Sequence, residues 1–244
     1  MRNVKLTIEY DGSGYVGWQR QLSGPSIQAS IEACLRTMTG ENIKLLGSGR
    51  TDSGVHALGQ VANFKTESGL SAADIQKGLN SMLPRDIVIT GAEEAEPGFH
   101  AQLSARSKTY VYRILNRPFP SALLRDRAWF MPYPLEVRFM DEAARTLIGR
   151  HDFRAFAQSG ATVKSTVRTV LRAGIESRDE ILEFSIEADG FMKRMVRLIV
   201  GTLVQVGKEK ITPAQFKKIL DSGEKTKFVH AAPARGLYLK EVKY

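Results

Sequence analysis

An α/β (α+β) chain of two ferredoxin-like/RRM-like halves is predicted by three observations. The first is a β-α-β-β-α-β order of alternating and helical hydrophobic patterns from Val4 to Thr90. The second is a return of that order between Lys108 and Val242. The third is size: 244 residues, 43% of them hydrophobic, suffice for one large domain or two small ones with real cores. The halves divide as 1–105 and 106–244. They share element order only, with no residue-level repeat between them. Two such halves can share one broad antiparallel sheet with helices on one side. A cleft between the halves is then the default ligand and catalytic site.

Val4 to Tyr10 alternates like a strand, with Leu6 and Ile8 on one face, and Asp11-Gly12-Ser13-Gly14 ends it as a turn. Ile27 to Met38 has helical spacing and closes near Gly40. Ile43 to Leu46 reads as a short strand and Gln60 to Lys65 as another. Ser71, with Asp74 at the third helical position, is similar to a capping box and opens a helix that runs to about Leu83, before Pro84. Asp86 to Thr90 is the fourth strand. In the second half, Lys108 to Leu115 is a strand, and Asn116 to Pro134 is a connection rich in proline and aromatics. Asp141 to Ile148 is helical, and Val167 to Ser177 with Ile181 to Glu187 form a hairpin. Met192 to Val206 is a strong helix closed by Gly207. Thr212-Pro213-Ala214-Gln215 then combines an N-cap, a proline at the first helical position and a capping-box glutamine. Leu237 to Val242 supplies a last strand.

Lys and Arg number 35 against 26 Asp and Glu, a formal charge of +9. The basic residues group as Arg106, Lys108, Arg113, Arg117; as Lys164, Arg168, Arg172; and as Lys193, Arg194, Arg197. Such a surface on a folded protein points to a polyanion, with nucleic acid first in line, against the plainer reading of charge for solubility. The single cysteine, Cys34, excludes an intrachain disulfide and fits a reducing compartment. It falls in the apolar stripe of Ile27, Ile31, Leu35 and Met38, so it reads as core rather than nucleophile. No apolar run reaches about 18 residues, which argues against a membrane span. Met1-Arg2-Asn3-Val4-Lys5 lacks the apolar stretch of a signal peptide, so the expected location is cytoplasmic.

Gly47 to Gly54 reads Gly-Ser-Gly-Arg-Thr-Asp-Ser-Gly, three glycines around Arg50 and Asp52. Asp52-Ser53-Gly54 alone is most often a simple turn. A carboxylate beside a guanidinium between two strands has the makings of a site. Val55-His56 stands where a phosphate-binding loop needs Lys-Ser/Thr, and the dinucleotide fingerprint is absent, so ATP or NAD has no support and no cofactor is expected. His56, His100, His151 and His230 show no metal-ligand spacing, and no metal is expected. There is no Gly-x-Ser-x-Gly elbow.

Tyr110 and Tyr112 share a strand face with basic neighbours, as in sheets that stack RNA bases, although at least one of them is expected to pack the core and no RNP1 consensus is present. In the helix from Met192, the stripe Met192, Met195, Val196, Ile199, Leu203, Val206 is core and Lys193-Arg194 a solvated face. Gly201 lies one turn after Arg197 on the same face, where a missing side chain lets another backbone or a ligand approach.

Gly49-Arg50-Thr51-Asp52-Ser53-Gly54-Val55-His56-Ala57 resembles the signature of the tRNA pseudouridine synthase A family. Further blocks are similar in the same order: Gly17-Trp18-Gln19-Arg20-Gln21, Lys108-Thr109-Tyr110-Val111-Tyr112, and His151-Asp152-Phe153 with Ala155-Phe156. Phe191 with Met195-Val196-Arg197 and Val200-Gly201, then Ala232-Pro233 with Gly236-Leu237, continue the match over nearly the whole chain. Ser53, where alanine is commoner, and Lys193-Arg194 depart from the pattern without removing a catalytic group.

The resemblance implies isomerisation of uridine to pseudouridine at positions 38, 39 and 40 of the tRNA anticodon arm. In that reading Asp52 is the essential carboxylate, acting either at C1′ as nucleophile or at C2′ as base. Arg197 pairs with it, Arg50 fills the space of the displaced nucleotide, and Tyr110 stacks on the flipped base. The loop glycines let an RNA base come close. The family resemblance also implies tRNA as partner and a homodimer, and the basic surface implies binding that weakens steeply with salt. A non-catalytic RNA-binding module explains the charge and the tyrosines but not Arg50-Thr51-Asp52. A phosphodiesterase lacks the carboxylate or histidine clusters for metal-assisted hydrolysis.

Overall fold

The computed structural model describes residues 1–158 and 164–244. In chain order the elements are β1 (Arg2–Tyr10), α1 (Ile27–Thr39), β2 (Leu46–Gly47), β3 (His56–Thr66), α2 (Ala72–Met82) and β4 (Ile87–Ala95). There follow β5 (Ser107–Asn116), β6 (Trp129–Met131), α3 (Val137–Arg145), β7 (Gly149–Asp152), β8 (Val167–Arg178) and β9 (Ile181–Ala188). The remaining elements are α4 (Met195–Gly207), α5 (Pro213–Ser222) and β10 (Leu237–Lys243). Among the described residues no helix is long and apolar enough to cross a membrane. The chain divides into two compact units, Met1–Arg106 with Tyr238–Tyr244, and Ser107–Leu237.

In the first unit the order β4-β1-β3-β2 is the ferredoxin-like one. Val4, Leu6 and Ile8 of β1 are fully buried, while Lys5, Thr7 and Glu9 alternate on the more open face. Ile27, Ile31 and Leu35 of α1 and Leu79 of α2 complete that core. Cys34 is only partly buried, at the margin of the α1 stripe. Gly40 ends α1 in the left-handed conformation, at φ 73°. Ser71 caps α2 by accepting from the Asp74 amide at 3.1 Å and donates to the Asp74 carboxylate at 2.6 Å. A reciprocal box calls for Glu or Gln at that position, whose longer side chain reaches back to the cap amide.

The strand expected over Ile43 to Leu46 shrinks to Leu46–Gly47. The Leu45 amide and carbonyl are taken by Glu32 and Gln28 of α1 instead of by a neighbouring strand. Strand β3 starts four residues earlier than its alternation indicates, because His56 and Ala57 pair in parallel with Tyr238 and Leu239 of β10. The antiparallel expectation is thereby corrected to a mixed pattern, with a second parallel pair between β5 and β6. Between β1 and β3 the register shifts from Ile8↔Gln60 to Tyr10↔Ala57, a bulge on β3.

In the second unit β5, β9, β8 and β7 are neighbours in that order, all antiparallel. The β8–β9 hairpin turns through Asp179, at φ 53°. The proline-rich connection contains the short strand β6, which alternation over three residues is too brief to reveal. Helix α3 begins at Val137, four residues before its expected start, and buries Met140, Ala143 and Ala144. Helix α4 begins at Met195, three residues late, because Arg194 sits at φ 60° and cannot continue a right-handed helix. Phe153, Phe156 and Phe216 are fully buried beside it. The capping box of α5 forms as its sequence predicts: Thr212 Oγ1 accepts from the Gln215 amide at 3.2 Å and Gln215 Oε1 from the Thr212 amide at 2.8 Å. Thr212→Ala is expected to cost about 1 kcal/mol and to lower the melting temperature by roughly 2–4 °C. Thermal denaturation checks this.

Candidate active site

The loop after β2 is fastened to its own unit at several points. Ser48 is fully buried, with its amide on the Val61 carbonyl at 2.7 Å and its hydroxyl on Gln60 Oε1 at 2.6 Å. The Gln60 amide donates to the Gly49 carbonyl at 3.0 Å. The Thr51 carbonyl accepts from the Trp18 amide at 3.2 Å, and Asp52 forms an isolated bridge with Gly17. Gly17 has φ 113°, and a Cβ there would lie 2.6 Å from the Thr51 carbonyl oxygen, so only glycine admits this approach. Gly54, at φ 75°, turns the chain back, with the Val55 amide on the Asp52 carbonyl at 3.2 Å.

Arg50 is exposed and Asp52 half-buried, on either side of the buried Thr51. The loop therefore presents a carboxylate and a guanidinium from a backbone that is anchored on both flanks. The expectation that its glycines admit an RNA base changes at Gly47. A Cβ there would meet the Trp18 indole at 2.5 Å, so the space belongs to the protein's own aromatic ring. His56, 2% exposed, is a packed residue: its ring stacks on Tyr238 with centroids 4.7 Å apart, and the Gly12 amide lies 3.1 Å from its Nδ1.

Tyr110 and Arg197 belong to the second unit. Tyr110 lies on β5, 8% exposed, with Phe191 packed edge-on at 4.9 Å. Tyr112, two residues on, is fully buried and donates to the Pro233 carbonyl at 2.8 Å, so it is the tyrosine that packs the core. Burial pushes the Tyr112 phenol up, and the nearby guanidinium groups of Arg197 and Arg235 pull the other way. Arg197 is half-buried on α4, and its Nε donates to the Ala232 carbonyl at 2.8 Å. The Ala232 amide in turn donates to the Arg197 carbonyl at 2.9 Å. At Gly201 a Cβ would lie 1.9 Å from the His230 carbonyl oxygen. The approach expected at that glycine is made by another stretch of backbone. Thus Arg50 and Asp52 share one loop in the first unit, whereas Tyr110 on β5 and Arg197 on α4 lie in the second.

Tyr10, Trp18 and Gln60 escape sequence reasoning as supports of the loop. Tyr10 reaches it from the end of β1, Gln60 across the β2–β3 pairing and Trp18 from the connection between β1 and α1, and no local pattern encodes those approaches. Among the described residues no group of three or more His, Cys, Asp or Glu is arranged to hold a metal ion.

The family model described as tRNA pseudouridine synthase matches residues 6–102 and 143–244. The chain is 48% identical over 244 residues to a tRNA pseudouridine synthase A of Acetivibrio thermocellus, covering 100% of each chain. It is 47% identical, again over 100% of each chain, to a tRNA pseudouridine synthase A 2 of Clostridium perfringens. A tRNA pseudouridine synthase A from a Thermoanaerobacter species is 46% identical with the same coverage.

Proposed function

The chain belongs to the tRNA pseudouridine synthase A family, and from that premise we propose that it isomerises uridine to pseudouridine at positions 38, 39 and 40 of the tRNA anticodon arm, with Asp52 as the essential carboxylate. The observation that carries the reading is the anchored loop that presents Asp52 beside Arg50, in a chain that matches its relatives over their full length. The reaction breaks the N1–C1′ bond, turns the uracil, and joins C5 to C1′. C5 loses a proton and N1 gains one, so atoms balance without an oxidant, a reductant or a phosphoryl donor. Asp52 acts in its ionised form, by attack on C1′ or by removal of the C2′ proton.

A uridine stacked in the anticodon arm must leave the stack before it reaches such a loop, at a cost of a few kcal/mol. Arg50, exposed at the loop, is suited to fill the vacated space and offset part of that cost. Arg197 is proposed as a substrate-binding guanidinium. Tyr110 is the platform on which the flipped uracil stacks. Three adjacent target positions favour recognition through shape and backbone over base edges, and the net charge of +9 supplies the matching field. The same reading makes the protein a cytoplasmic homodimer that works without cofactor or metal.

The test is release of the C5 hydrogen from tRNA labelled at uridine. The enzyme releases label from tRNA with uridine at 38, 39 or 40 and none when all three are cytidine. A binding module releases none from either, and release from the cytidine-substituted tRNA would sink the assignment of positions. Tyr110→Phe keeps a ring for stacking, whereas Tyr110→Ala removes about 1–3 kcal/mol of base stacking. The alanine variant is therefore expected to lose the more turnover. Equal rates for Tyr110→Ala and wild type would remove Tyr110 from the site.

A further inference from the structure

Behind Arg50-Thr51-Asp52 lies a buried polar network that the isomerisation itself does not call for. Gln60, fully buried on β3, accepts from the Ser48 hydroxyl at 2.6 Å and from the Val61 amide at 3.2 Å through Oε1. Its Nε2 donates to the Gly49 carbonyl at 3.0 Å. Tyr10, 3% exposed at the end of β1, shares a 2.8 Å hydrogen bond with Thr51 Oγ1, and Thr51 is itself 7% exposed. Burial pushes the Tyr10 phenol up, against the hydrogen bonds of Thr51 and Gln60, so it serves as a neutral partner.

Gly49 and Thr51 immediately flank Arg50, and each is tied to a strand by one buried side chain. Buried polar groups are costly when half-satisfied and rigidifying when fully paired. The bulge between Ile8↔Gln60 and Tyr10↔Ala57 lies at these two residues and gives each its own register on the paired strands.

We propose that Gln60 and Tyr10 are positioning residues that fix the backbone on both sides of Arg50 and thereby set the orientation of Asp52. The inference rests on the reading of Asp52 as the essential carboxylate. It differs from a purely structural role in what it moves: the rate at saturating tRNA, with little change in tRNA binding or in the fraction folded.

The test uses Tyr10→Phe, which keeps the buried ring, and Gln60→Leu. C5 hydrogen release gives kcat and KM, direct binding gives the Kd for tRNA, and thermal denaturation reports folding. The expected result is a fall in kcat of about tenfold or more with KM and Kd within about twofold. Thr51→Val is expected to fall further than Thr51→Ser, which keeps the hydroxyl. Tyr10→Phe combined with Thr51→Val is expected to cost no more than the worse single change, since both remove one bond. Folded Tyr10→Phe and Gln60→Leu proteins with wild-type kcat overturn the proposal. So do losses of activity that vanish when rates are expressed per folded molecule. Asp52→Asn separates the two readings. An active Asp52→Asn protein defeats the carboxylate assignment, whereas an inactive one beside normal Tyr10→Phe and Gln60→Leu defeats only the positioning inference.

Discussion

Asp52→Ala is expected to lower C5 hydrogen release from tRNA by at least about 10³-fold, with tRNA binding largely retained. Removing the group that makes or breaks a bond to substrate takes away an interaction present only in the transition state, so the loss falls on kcat rather than KM. The anchors of the loop that remain in the variant are the Ser48 and Gly49 contacts with Gln60, the Thr51 contact with Tyr10 and the turn at Gly54. The protein is therefore expected to stay folded and to bind tRNA through its basic surface. Measured together, single-turnover release, filter binding and a melting curve distinguish a chemical lesion from an unfolded one. Release within about tenfold of wild type by a folded Asp52→Ala protein would remove the carboxylate from the mechanism.

The second large effect concerns stability. Gly201→Ala is expected to destabilise the second unit by roughly 2–3 kcal/mol, near the upper end of overpacking costs. The new Cβ would meet the His230 carbonyl oxygen at 1.9 Å and the Ala232 amide nitrogen at 3.2 Å, and both are backbone atoms that cannot rotate away. For a protein of this length that corresponds to a fall in melting temperature of roughly 5–10 °C. Ala232 also exchanges two hydrogen bonds with Arg197, so a shift of the 230–232 segment is felt at that guanidinium. Residual activity at low temperature is accordingly expected to drop along with stability. A Gly201→Ala protein that melts with wild type would show that the segment does not pack on α4 as described.

What the sequence reveals follows from how local its physics is. The Thr212 capping box and the Ser71 cap are readable because donor and acceptor lie three residues apart. The Gly201 approach is readable because one missing side chain on the Arg197 face of a helix needs a neighbour. The start of α4 is not, since the stripe of Met192 and Met195 continues smoothly through Arg194, whose left-handed backbone breaks the helix. The strand β2 is overextended in the sequence because alternation cannot show that Leu45 spends its backbone groups on Gln28 and Glu32. Arg50 and Asp52 stand out through their glycine setting. Tyr10 and Gln60 read as ordinary strand residues, and only the pairing of β3 with β1 and with β2 brings them to the loop. At Gly47 the pattern misleads: the missing side chain makes room for Trp18, not for a ligand.

The parallel pairing of β10 with β3 bears on how the protein comes into being. His56 and Ala57 leave the ribosome early, yet Tyr238 and Leu239 follow only after the entire second unit has been made. Until then the start of β3, immediately after the Asp52 loop, has an open edge, and closing so long a stretch of chain carries an entropic cost. Such distant pairing slows folding relative to local contacts. The unit that presents Asp52 is thus begun first during translation and completed last.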